Sequence, residues 1–265
     1  MRESGGSDRC SLKHQDRQRE RLMQGWIDMH CHILPGLDDG ARDIETALQI
    51  LELAYAEGIR AMIATPHFHG GHYEASPEQI SEWVIRIQDL VSERFPDLKI
   101  FAGNEIYYYD SMIDWVGEDR VLTMAGSCYL LLEFSPLVEF KKLEQAVRNV
   151  KAGGYLPILA HIERYRCLNG HMKQIQQLID MGAYIQINTE AILGDAGLIT
   201  KQFVKKLCKN DMIDFMATDT HSLHRRRPRM KECAEYLTKH YGEAYTQKIL
   251  YDNPYCIITD EYIEH

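Results

Sequence analysis

From residue 26 onward the chain alternates between short apolar runs and amphipathic stretches, and this rhythm limits the folds open to it. The runs are "WIDMHCHI" (26–33), "IRAMIATPH" (59–67), "LKIFAGNEI" (98–106), "CYLLLEF" (128–134), "YLPILAH" (155–161), "AYIQIN" (183–188) and "IDFMATDTH" (213–221). Each has the length of a strand and little alternation, as expected for strands buried on both faces of a parallel sheet. Between them, residues 43–57 place Ile44, Ala47, Leu48, Leu51, Ala54 and Tyr55 on one helical face, with Gly58 as a stop. Ser76-Pro77 opens a helix over 77–94. Further helices are expected over 138–152, 171–181, 198–209, 228–240 and 242–252. Strand–helix repetition of this kind predicts an α/β fold, either a (β/α) barrel with seven units or a doubly wound open sheet. Periodicity alone does not separate the two.

The ends of these runs carry the chemistry. The first ends in His30 and His32, the second in His67 with His69 beyond it, and the third in Glu105. Glu133 closes the fourth, His161 with Glu163 and Arg164 the fifth, and Asp219 and His221 the seventh. The sixth, ending near Asn188, offers no strong ligand. In a parallel barrel all C-terminal strand ends meet on one face, where active sites sit. Carboxylates crowded there repel one another unless positive charge lies among them, and divalent metal ions supply it. Side chains alternate along a strand, so His30 and His32 share a face while Cys31 points away. Mixed imidazole and carboxylate donors suit Mn, Fe or Zn, and so many donors exceed the needs of one ion. Two or three ions are expected. His14, His171, His240 and His265 fall outside the pattern.

A cysteine nucleophile is the competing reading of "DMHCHILPGLDDG". Thiolate phosphatases place an arginine after five spacer residues, to cradle phosphate with backbone amides. Here Leu37 stands at that place and Asp38-Asp39 follow, the wrong sign for phosphate. Cys31 is therefore expected to pack.

The rest of the composition narrows the class. A net charge of −9 over 265 residues argues against broad nucleic-acid binding. Seven irregularly spaced cysteines fit a reducing cytoplasmic compartment better than a disulfide framework. No apolar run reaches the roughly 18 residues of a membrane span. Residues 1–24 lack the apolar core of a signal peptide and read as a charged N-terminal extension, flexible or briefly helical, ahead of one domain over 25–265.

Taken together, "DMHCHILPGLDDG", "ATPHFHGGHYE", "GNEIYYYD", "LLEFSP", "LAHIERY" and "ATDTHSLHRRRPRMKE" resemble the PHP (polymerase and histidinol phosphatase) family. Within it they look like the bacterial manganese-dependent protein tyrosine phosphatases of capsule and exopolysaccharide operons. The likeness runs from about residue 26 to 255. It implies a distorted (β/α)7 TIM-like barrel holding three metals. His30, His32, Glu105 and Asp219 would hold one ion, and Glu105 would bridge to a second held by Glu133 and His161. Asp39, His67 and His221 would hold the third, leaving His69 and His72 without a ligand role. Arg164 and Arg226 would clamp the phosphate, with Arg227 the alternative to Arg226. The implied chemistry is in-line attack by metal-activated water, without a phosphoenzyme, with help at the leaving group from Asp39 or a nearby histidine. The implied substrate is the phosphotyrosine tail of a bacterial tyrosine kinase, with Tyr107, Tyr108 and Tyr109 as candidates to line the mouth of the site. Two other readings stand beside it: a phosphoesterase for a small molecule such as histidinol phosphate or for a nucleic-acid end, and a noncatalytic phosphotyrosine docking module. The acidic balance disfavours nucleic acid, and the ligand set disfavours a docking module.

Overall fold

The structure, a computed structural model, describes residues 25–263. The charged extension expected over 1–24, with His14, and residues 264–265 lie outside the described residues. The chain opens with β1 (Trp26–Cys31) and α1 (Ile44–Ala56), then β2 (Ile59–Ala64), β3 (His67–His69), β4 (Tyr73–Glu74) and α2 (Pro77–Ser92). There follow β5 (Lys99–Ala102), β6 (Glu105–Tyr107), α3 (Met112–Gly117), β7 (Tyr129–Glu133), α4 (Phe140–Ala152), β8 (Leu156–Leu159) and α5 (Met172–Asp180). The last part holds β9 (Tyr184–Asn188), α6 (Thr189–Leu193), α7 (Leu198–Lys209), β10 (Phe215–Ala217), α8 (Met230–Tyr241), α9 (Glu243–Gln247) and α10 (Asn253–Thr259). Among the described residues no helix is long and apolar enough to cross a membrane.

Local chemistry accounts for the helix starts. Asp43 caps α1 by accepting from the Thr46 amide at 2.8 Å. At α2, Ser76 and Gln79 exchange side-chain and backbone hydrogen bonds in a capping box, and Pro77 occupies the first turn, where its missing N–H costs nothing. In α4, Leu143, Ala146, Val147 and Val150 recur at helical spacing and are buried against the sheet.

Hydrogen bonding divides the strands into two sheets. One is parallel, in the order β1-β2-β5; the other runs β10-β9-β8-β7-β6-β3-β4, parallel except for the β3–β4 hairpin. The edges β1 and β10 meet at a bridge between Cys31 and Thr220. There the His32 amide donates to Thr220 O at 2.8 Å and the Asp219 amide to His30 O at 2.9 Å. Buried Asp28 adds a further tie, accepting from the Thr218 amide at 2.9 Å.

The seven continuous strands expected from the sequence are therefore not what forms. The run 59–67 breaks into β2 and β3, and 98–106 into β5 and β6. Pro66 has no N–H to give a ladder. Its carbonyl instead takes both the Glu105 amide (3.2 Å) and the Asn104 side chain (3.0 Å), so the ladder is interrupted here and resumes in the same register, with Ala64 opposite Ala102 before the break and His67 opposite Glu105 after it. Among the described residues the ladder does not close into a seven-stranded ring. The run 213–221 shortens to β10 because Asp219 turns the chain at φ 51°. Neither α3 nor α6 was expected. The helix foreseen over 242–252 resolves into α9, a π-helical turn at Lys248–Asp252, and α10.

One face of the strands explains how the site is carried. Tyr129, Leu131 and Glu133 alternate along β7, and Phe215 and Ala217 on β10 lead to Asp219. In both, the first two are apolar and buried with Met29, Ile63, Ile158 and Ile257, and the polar residue follows at the C-terminal end. An apolar floor thus lies beneath a polar ceiling. Gly40 brings the loop after β1 against His32: a Cβ there would lie 2.2 Å from His32 O and 2.6 Å from its Cβ. Gly40→Ala should cost about 1–3 kcal/mol in chemical denaturation, as overpacking does; an unchanged midpoint would refute this close approach.

Candidate metal centre

The nine residues that the resemblance implies as ligands reach one region. Three groups have donor atoms within 4.8 Å of one another: His30, His32, Glu105 and Asp219; His32, Asp39, His67 and His221; and His67, Glu105 and Glu133. His161 adjoins the third, with Nε2 2.7 Å from Glu105 Oε1 and 3.7 Å from Glu133 Oε1. The first group matches the ligand set implied by the resemblance. In the second, His32 joins the implied trio, and His67 faces both its neighbours and Glu105.

The protons of these histidines are placed by their outer partners. His30 Nδ1 lies 3.2 Å from Gln186 Oε1, His32 Nδ1 2.7 Å from Asp38 Oδ2, and His221 Nδ1 2.9 Å from Asp219 O. All three partners are acceptors, so the hydrogen sits on Nδ1 and the Nε2 lone pair is left for the centre. His30 and His32 Nε2 are 3.2 Å apart. Glu105 Oε2 lies 3.2 Å from each of them and 3.0 Å from His67 Nδ1, yet it is buried without an aligned hydrogen bond. Converging lone pairs around an unsatisfied carboxylate oxygen are the arrangement a divalent cation resolves. The donor set therefore fits divalent metal ions.

The same closeness shows in the charges of these groups. Burial opposes ionisation of Glu105, but His30, His161 and His32 outweigh it and hold the carboxyl well below its usual range. Asp219, also buried, is held low by His30, His32, Arg164 and Arg226. His67 is pushed up to about 10, its carboxylate neighbours Glu105 and Glu133 overcoming burial. Asp39 is held below the usual range by the imidazoles that face it, His221 first.

Two of these residues sit in strained backbone. His161 has φ 33° and Asp219 φ 51°, left-handed values that cost a non-glycine residue about 1–3 kcal/mol. The His161 amide is held by Gln186 Oε1 at 2.8 Å, and the Asp219 carboxylate by Asn188 Nδ2 at 2.7 Å. Asp219 also takes Arg164 Nη2 at 2.8 Å, while Arg226 pairs with its other oxygen. Arg227 is exposed, so Arg226 is the arginine that enters the site.

Other expectations resolve simply. Cys31 is buried with its thiol toward Ile63 O, and burial first, then nearby aspartates, raises its pKa well above the ordinary value. It packs. Glu163 turns aside to accept the Asn188 amide. His69 stacks on Tyr107 and His72 lies against Tyr73, outside the three groups. Sequence reasoning passed over Asp38, Gln186 and Asn188. The signal for the last two was available: in "YIQIN" two polar residues two apart interrupt an apolar strand, the same spacing that flagged His30 and His32.

A parallel α/β fold with imidazoles and carboxylates at its C-terminal strand ends defines a TIM-barrel-like metal-centre class. Solved structures agree on the fold: a phosphotriesterase homology protein from Escherichia coli superposes with TM-score 0.56 at 12% identity, covering 87% of this chain and 97% of that one. Over residues 26–259 the chain matches the model of the capsular polysaccharide synthesis CpsB/CapC family, and it belongs to that family. It is 31% identical over 242 residues to the tyrosine-protein phosphatase CpsB of Streptococcus pneumoniae, covering 89% of this chain and all of that one. It is 32% identical over 217 residues to the tyrosine-protein phosphatase YwqE of Bacillus subtilis, covering 82% and 85%. A solved structure from work on YwqE and CpsB, described as unique metal-dependent tyrosine phosphatases, superposes with TM-score 0.84 at 29% identity over 90% of this chain and 96% of that one.

If Gln186 sets the His30 tautomer and the His161 backbone, Gln186→Leu should weaken manganese binding about 10- to 100-fold. Calorimetric titration checks this; wild-type affinity would remove Gln186 from the centre.

Proposed function

We propose that this chain is a metal-dependent protein tyrosine phosphatase. Its substrate is the phosphotyrosine tail of a bacterial tyrosine kinase that governs polysaccharide synthesis, met in the cytoplasm. One domain over 25–265, an α/β fold of the TIM-barrel-like PHP type, carries the site. The observation that carries the reading is the convergence of His30, His32 and His67 on one oxygen of buried Glu105, beside two arginines anchored on Asp219. The kinship with CpsB and YwqE supports the same activity.

In this reading His30, His32, Glu105 and Asp219 hold one divalent ion, Glu105, Glu133 and His161 a second, and Asp39, His67 and His221 a third. Manganese is the ion proposed for these positions, with Fe and Zn as alternatives. Bound ions of this kind supply Lewis acidity and acidify water towards a pKa of about 7. The protein supplies the rest. Arg164 and Arg226 offer guanidinium forks to the phosphoryl oxygens, and Asp219 fixes their direction before substrate arrives. Burial of the ligands keeps these charges strong. The departing phenolate has a pKa of about 10, so it leaves with little protonation, unlike a serine alkoxide.

The test is phosphate release from a phosphotyrosine peptide, a phosphoserine peptide and histidinol phosphate, each with manganese and with EDTA. Manganese-dependent release mainly from phosphotyrosine is expected. Release mainly from histidinol phosphate would overturn the substrate, and binding without turnover would leave a docking module. His30→Ala should lose both metal and activity, measured by elemental analysis and assay; full activity would sink the ligand assignment. Arg164→Ala should keep its metal and lose about 100-fold in kcat/KM.

A further inference from the structure

The ligand layer is not the last inward-facing layer of the strands. β3 and β6 pair with His67 opposite Glu105 and Phe68 opposite Ile106. Phe68 and Ile106 are buried in the core on one face. His67 and Glu105 face the centre from the other, so His69 and Tyr107, two residues on, lie above them. That step is about 6–7 Å outward. The two rings stack at 4.3 Å between centroids and 4° between planes. On the neighbouring strand Tyr73 pairs with His69 in register, and its ring lies over His67 at 5.8 Å and 17°. Three adjacent strands thus place rings in the layer immediately outside the candidate ligands.

This collar stands over His67, a part-exposed member of the centre. The exposed members of the cluster are Asp39 (53%), Glu133 (23%) and His67 (15%), whereas His30, His32, Glu105 and Asp219 are at 0–1%. Arg164 and Arg226, in the segments after β8 and β10, are also part-exposed (32% and 29%), and both end on Asp219. A phosphoryl group held between the ligands and these arginines has room to turn its ester substituent toward His69, Tyr107 and Tyr73, one strand step beyond His67 and Glu105.

We propose that the His69–Tyr107 stack, with Tyr73 beside it, is an aryl-binding subsite that receives the phenyl ring of the substrate. Flat rings favour another ring by offset or edge-on contact beyond simple area burial, and an alkyl phosphate forgoes that contact. The inference rests on the phosphotyrosine reading above and assigns its specificity to named side chains.

Tyr107→Leu and His69→Ala, each loaded with manganese, should raise KM for a phosphotyrosine peptide about three- to tenfold. Inhibition by inorganic phosphate, which has no ring, and manganese content should match wild type. Tyr107→Phe should restore the wild-type KM. An unchanged KM in both variants would overturn the subsite. So would an equal loss of phosphate inhibition, which would show a disturbed metal centre instead. Failure of wild type to cleave phosphotyrosine at all would instead defeat the parent reading, so the two failures are distinguishable.

Discussion

Two carboxylates, Glu105 and Asp219, are buried in the middle of this protein, and the structure around them is organised to answer their charge. Removing such groups from water costs several kcal/mol each unless partners replace the lost hydration. Here the partners are imidazoles from β1, β3 and the segments after β8 and β10, together with the two arginines. A core of this kind holds only if the partners are assembled together. That requirement ties strands far apart in sequence to one point.

The backbone bends to meet it. His161 and Asp219 leave their strands in left-handed conformations, and Gln186 and Asn188 hold the distorted segments with side-chain hydrogen bonds. Pro66 interrupts one ladder, so His67 begins a fresh strand with its ring toward Glu105. The apolar floor of Met29, Leu131, Ile158 and Phe215 absorbs none of this irregularity, since it lies earlier along the strands. Stability and function are thus separated by depth: apolar packing below, strained polar geometry above.

The same layering bears on phosphate chemistry. A chain with a net charge of −9 attracts a phosphorylated protein poorly at long range. Recognition must then come from short-range features: the donor cluster, the two guanidiniums on Asp219, and the rings of Tyr73, His69 and Tyr107. Membership of the CpsB/CapC family and the similarity to CpsB and YwqE fit a centre built to hold metal and phosphate at close quarters.

Much of this was legible from residue order alone. Period-two spacing put His30 with His32, and the repeated placement of His, Asp and Glu at run ends marked a shared site, because parallel strands deliver their C-termini to one face. Helix starts at Asp43 and Ser76-Pro77 were local and readable for the same reason: capping depends on neighbours within a turn. Asp38, Gln186 and Asn188 were different. Gln186 and Asn188 act on His30 and Asp219 across long stretches of chain, whereas Asp38 reaches His32 within one loop, and in each case a short polar side chain announces no partner of its own. The split at Pro66, the meeting of β1 with β10, and the choice of Arg226 over Arg227 likewise depend on which groups become neighbours once the chain folds. Donor chemistry and strand rhythm belong to the sequence, since they depend on residue type and spacing; tautomers, strain and the direction of each guanidinium belong to the tertiary structure, since they depend on distance.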